Sequence, residues 1–214
     1  MNLVDMRAIV RRDLHDEDAS NYRWTNDELD RHIGHAVKDY SEAMPYQQKA
    51  VKATTSGSRE IDISALSDRI MVEAVEYPAG MFPCRFQRFS LWGDTITLLG
   101  DEIPDGSTAC IYYGQMHTLN VSTSTVTAWQ EDLIVTGACG YAAVEWAVYA
   151  INRVNAGGDT TSGELLSWGK EKLAFFRLEL KRLGRKNRVR VRSLYRPFHR
   201  PVSKTTDYGP AGKE

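Results

Sequence analysis

The spacing of apolar residues switches from a helical period to an alternating one near residue 52 and back again near residue 128, so a β-unit has to sit between helices. Leu3, Met6, Val10 and Leu14 recur at helical spacing with Arg7, Arg11 and Arg12 between them, which predicts a short amphipathic helix ending near His15. A polar, turn-like DEDASNYRW follows. Thr25 with Glu28 three residues on then has the form of a capping box, ahead of Leu29, Ile33, Val37, Tyr40 and Met44. A second helix is expected from about Asn26 to about Lys49.

In the alternating region, Glu60 to Ile63, Met71 to Val75, Phe86 to Trp92, Thr95 to Leu99 and Thr108 to Tyr113 are short β-branched or aromatic runs. TSGS, YPAG, WGD and IPDG separate them as turn signals. Connections this short cannot carry crossover helices, so an antiparallel sheet or sandwich is expected. Past Ala128, Trp129, Leu133, Gly137, Tyr141, Val144, Val148, Ile151 and Val154 mark the stripe of a long helix. Gly137 and Gly140 sit in its middle, where each glycine costs about 1 kcal/mol relative to alanine, which points to close approach of another helix. NAGGDTTSGE breaks the pattern, and a last helix carries Leu165, Trp168, Leu173, Phe176, Leu180 and Leu183 up to Gly184, placed as a terminating glycine. The expected fold class is α+β and mainly helical. Residues 1–51 and 118–184 form a helical bundle, 52–117 an inserted small antiparallel β-unit, and 185–214 an extended basic C-terminal arm.

Charge divides the chain as sharply as hydrophobicity does. Residues 1–180 hold 16 basic and 26 acidic side chains, net −10, whereas residues 181–214 hold 11 basic and 2 acidic, net +9. No apolar run is expected to span a membrane, and charges inside the first apolar pattern argue against a signal peptide, which points to a cytosol-like compartment. Cys84, Cys110 and Cys139 are odd in number and lack any C-x-x-C pairing, so they read as buried reduced thiols.

Recognisable site chemistry is sparse. His32 and His35 could reach one metal, but zinc needs a third ligand and no H-E-x-x-H occurs, so they read as surface or interface histidines. Asp13, Asp16, Glu17 and Asp18 lack the alternation and glycine of a calcium loop and read as a solvated acidic turn. NAGGDTTSGE lacks G-K-[ST], and Glu164 after Gly163 would repel phosphate, so it reads as a turn and cap. With no nucleophile elbow and no partnered histidine, the expectation is a protein without catalysis, metal or cofactor.

The tail has a pattern of its own. Read as a strand, RVRVR places Arg188, Arg190 and Arg192 on one face and Val189 and Val191 on the other. Pro197 and Pro201 favour extended geometry, while Leu194, Tyr195 and Phe198 supply apolar anchors. Arg185, Lys186, Arg188, Arg190, Arg192, Tyr195, Arg196, Phe198 and Arg200 are therefore the candidate partner-binding residues. Docking onto a partner, contact with nucleic acid alone, and a solubilising tail remain open as readings.

RWTNDELDRHIGHAVKDYSEA resembles the opening of tailed-bacteriophage head–tail connector or adaptor proteins, and TAWQEDLIVTGACGYAAVEWAVYAINRVN is similar to their following small-residue helix and turn. The two stretches cover about half of the chain. The resemblance implies a structural ring of identical subunits, usually twelve, assembled in the host cytoplasm and lodged in the virion neck. Its partners would be the portal protein, other neck or tail proteins and the genomic DNA passing through the channel, with no membrane. It further implies a C-terminal arm that reaches into the portal, and an inserted β-unit facing outward or toward the next tail component. An acidic body lining the channel would let DNA slide without sticking. The alternative is a nucleic-acid-binding module that uses the basic arm.

Overall fold

The computed structural model describes residues 1–150 and 162–195. It is an α+β fold of four helices and two antiparallel sheets. Helix α1 (Leu3–Asp13) starts at Asn2, and α2 (Asn26–Ala43) at Thr25; each start is a reciprocal capping box, with Asp5 and Glu28 reaching back to the cap. The second helix ends six residues before its expected limit. Pro45 offers no N–H and biases Met44 away from helical geometry, so the chain turns directly into β1 (Tyr46–Ala53). The β-unit thus begins at Tyr46 rather than at residue 52.

The remaining strands are β2 (Glu60–Asp62), β3 (Arg69–Glu76), β4 (Phe86–Gln87), β5 (Phe89–Trp92), β6 (Thr95–Leu98) and β7 (Thr108–Gln115). One sheet runs β1-β7-β3-β4 and the other β2-β6-β5. Their inner faces share one core of Ile61, Ile63, Val75, Ile96, Leu98, Ile111 and Tyr113. Gly114 allows the end of α2 to close on this unit, since a Cβ there would lie 2.4 Å from Pro45 Cβ.

A second core joins the helices. Met6 and Val10 of α1 and Leu29, Ile33 and Val37 of α2 meet Ile134, Val135 and Ala138 of α3 (Glu131–Ala150) and Leu173, Phe176 and Leu183 of α4 (Ser162–Leu194). Helix α3 is central. A short 3₁₀ turn, Ala128–Gln130, leads into it, and together they are long and apolar enough by composition to cross a membrane, contrary to expectation. Contact with α1, α2 and α4 accounts for that composition, because a helix packed on several sides is apolar on several sides. For the same reason the single expected stripe is wrong in part. Trp129 and Val148 face solvent, and small residues Ala138, Ala142, Ala143 and Ala147 are buried instead. Ile151 and Val154, and most of NAGGDTTSGE, lie outside the described residues.

Helices α3 and α4 approach closely. A Cβ on Gly137 would lie 2.9 Å from the Phe176 ring, and one on Gly140 would lie 2.8 Å from Leu173 Cγ and 3.1 Å from its backbone nitrogen. Gly169 returns the contact from α4, where a Cβ would meet Ala143 and Val144 at 3.0 Å.

Candidate docking surface

The basic segment is not an extended arm where it begins. Helix α4 runs through Gly184 without a break and carries RVRVR in its last turns. A Cβ on Gly184 would meet nothing nearer than 3.7 Å, and nothing there demands a terminating glycine. Elongating a formed helix costs little per residue, so a few β-branched valines, each a fraction of a kcal/mol poorer than alanine, do not stop it. Cations near a helix C-terminus also suit its dipole.

Helical periodicity redistributes the arginines. Lys181, Arg185, Arg188 and Arg192 fall on one stripe and are exposed. Arg190 points the other way, to the sheet. Its guanidinium donates to both carboxylate oxygens of Glu73 on β3 at 2.6 Å and to Asn187 Oδ1 at 2.8 Å. Glu73 is buried, its side chain 3% exposed against 39% for Arg190. Arg190 thus joins the helices to the β-unit and is already occupied within the subunit. Tyr195 continues the contact, its ring 6.1 Å from Phe86. Burial raises its hydroxyl pKa, opposed by a hydrogen bond to the Val75 backbone. Lys186 is exposed beside the stripe, and Val189 is exposed while Val191 is half-buried. Arg196, Phe198 and Arg200 lie outside the described residues.

Between distal α4, the end of α2 and β3 lies an open cleft of about 630 Å³. Its apolar surface comes from Ala43, Met71, Val72, Leu180 and Val191, and Lys181, Arg188 and Arg192 edge it on the α4 side. On the opposite edge Asp39 accepts from the Tyr141 hydroxyl, and Glu42 is exposed.

The far end of α2 holds a second organised feature. Arg11 is buried and donates to Asp16 at 2.5 Å, to the Trp24 carbonyl at 2.9 Å and to Asn26 Oδ1 at 3.0 Å. Asp16 also accepts from the backbone N–H of Arg23 at 2.7 Å. It is therefore a buried structural carboxylate rather than part of a solvated turn, while Asp13, Glu17 and Asp18 are exposed as expected. The Arg11 guanidinium also stacks 3.6 Å from the centre of the Tyr22 ring, fixing a 43% exposed aromatic on the loop.

The histidines and thiols need correction too. His32 is buried, not superficial, with Nε2 2.5 Å from Glu145 Oε2 but without hydrogen-bond alignment, and with Nδ1 unpartnered. Burial lowers its pKa against the pull of Glu145. His35 is exposed and edges the Tyr141 ring at 5.8 Å. Cys110 and Cys139 are buried, and burial pushes the Cys139 thiol up to about 12, but Cys84 is exposed. Among the described residues no three His, Cys, Asp or Glu side chains gather to hold a metal.

Sequence reasoning missed Glu73, Asn187, Asp16 and Tyr22 as parts of these surfaces. A signal for Glu73 existed, since it interrupts the apolar run Met71 to Val75. Comparison with known protein families finds no match to this chain, and comparison with curated proteins finds none either.

Proposed function

We propose that this chain is a structural head–tail adaptor of a tailed bacteriophage, a ring subunit without catalysis that docks beneath the portal, extends the DNA channel and presents a platform for the tail. The observation that carries the reading is α4, whose first two thirds lock into the helical body and whose last third carries a stripe of exposed cations, with Arg185 and Lys186 facing outward away from the cleft lining and so open to the portal. A helix that only completed a core would not need that stripe. The element order supports it as well, with the four helices acting as the ring-building bundle and the β-unit, inserted between α2 and α3, free to meet a neck or tail protein. The test is co-sedimentation with portal-containing capsids and the mass of the free protein. Attachment of the full chain supports the reading, and a protein that never joins a portal overturns it.

The exposed stripe of Lys181, Arg185, Arg188 and Arg192 favours a second reading, a module that tracks phosphates along α4. Such binding would weaken steeply with salt, by several released counterions, whereas portal docking through apolar anchors would not.

A further inference from the structure

We propose that the cleft beneath distal α4 receives the α1–α2 loop of a second copy of this chain, in a head-to-tail contact. The inference rests on the ring reading above and specifies how neighbouring subunits would meet. The two surfaces sit at opposite ends of one rigid element: Asp39, Glu42 and Ala43 at the end of α2 line the cleft, and the loop immediately precedes Asn26. A helix of 18 residues separates them by roughly 27 Å at about 1.5 Å per residue. Two different patches so separated cannot meet within a subunit, and a contact between unlike patches is the kind that repeats around a ring.

Their chemistry is complementary. The loop end of one copy exposes Asp13, Glu17 and Asp18, and the cleft edge exposes Lys181, Arg188 and Arg192. Arg12 and Arg23 are also exposed on the loop side, with Arg12 3.9 Å from Glu17, and Glu42 is exposed at the cleft. Acid still outnumbers base on the loop, and Lys181, Arg188 and Arg192 outnumber Asp39 and Glu42 at the cleft, Glu73 being already paired with Arg190. Tyr22 supplies the apolar anchor. Its ring is held in place by the buried Arg11, so ordering it on docking costs little, and Met71, Val72, Leu180 and Val191 offer a pocket large enough for it. Arg11 is covered on one side by the Tyr22 ring, and the rest of that ring is left exposed for a partner.

The test is a charge exchange on the full-length protein, read by native mass spectrometry over a range of concentrations. One variant carries Asp13→Lys and Glu17→Lys, and the other Arg188→Glu and Arg192→Glu. The wild type is expected to assemble. Each variant alone places like charges at its own contact and should need a roughly tenfold or higher concentration to assemble. An equimolar mixture should recover assembly, because each altered patch then meets its opposite, with even subunit numbers favoured. Tyr22→Ala, which also uncovers the Arg11 guanidinium, should weaken assembly at a temperature where the variant is still fully folded. Variants that each assemble like the parent, or a mixture of parent-like stability that stays monomeric, would overturn this contact and leave the ring reading standing. A wild type that stays monomeric at every concentration would sink both.

Discussion

Alanine at Gly140 and at Gly34 should change stability in opposite directions. Both glycines lie inside helices, α3 and α2, so each substitution recovers up to about 1 kcal/mol of helix propensity. At Gly34 a Cβ meets nothing within 4 Å, and that gain should appear in full as a stabilisation of about 0.5–1 kcal/mol. At Gly140 the new methyl would lie 2.8 Å from Leu173 Cγ and 3.1 Å from its backbone nitrogen. Backbone cannot step aside as a flexible chain end can, and overpacking of this kind costs about 1–3 kcal/mol. The net should be a loss of about 1 kcal/mol, or about 2–4 °C in melting temperature for a chain of this size. Gly137→Leu, facing the fully buried Phe176, should lose more. Urea or thermal unfolding of the three variants beside the parent measures this. Gly140→Ala melting at or above the parent would refute close packing of α3 on α4, and a destabilised Gly34→Ala would refute the account of open space.

Arg190→Ala should cost about 1–2 kcal/mol by leaving Glu73 buried without its partner, a value reduced because Arg190 is itself partly exposed, while Arg192→Ala should stay within about 0.5 kcal/mol in unfolding assays. Hydrogen exchange should show residues 185–195 less protected in Arg190→Ala; equal protection would mean the Glu73 pair does not hold the end of α4. Burial lowers the pKa of both His32 and His117 in the folded chain. The neutral rings therefore favour the fold above the ordinary histidine pKa of about 6.5, and this contribution is lost as pH falls below it. Melting temperature should drop from pH 7.5 to 5, and His117→Gln should flatten the drop; a variant with the parent's pH profile would remove His117 from that account. Truncation after Tyr195 should leave a folded body that attaches less well to portal-containing capsids, whereas truncation after Gly184 should also lower stability, because it removes Arg190 from Glu73. Equal melting of the two truncations would contradict the structural role given to distal α4.

What the sequence determined by itself is what its residues settle with neighbours three or four positions away. Thr25 and Glu28 cap each other, so the start of α2 was legible, as were the paired glycines that let α4 approach α3. Alternating runs from Glu60 to Tyr113 marked the β-unit for the same reason, each residue's face following from its own position in the strand. Tertiary structure decided where the partner is remote. RVRVR alternates as a strand does, yet it is helix, because α4 is already formed on α3 and Arg190 finds Glu73, 117 residues earlier. Asp16 looked solvated among its acidic neighbours until Arg11 and the backbone of Arg23 closed around it. Helix α3, apolar on several sides, carried no single stripe from which its faces could be assigned; only the placement of three other helices turned Trp129 and Val148 outward and buried its alanines. A local hydrogen bond is written in the spacing of two residues, but the partner of a buried charge or an apolar face is set by the closure of the whole chain, which no short window contains.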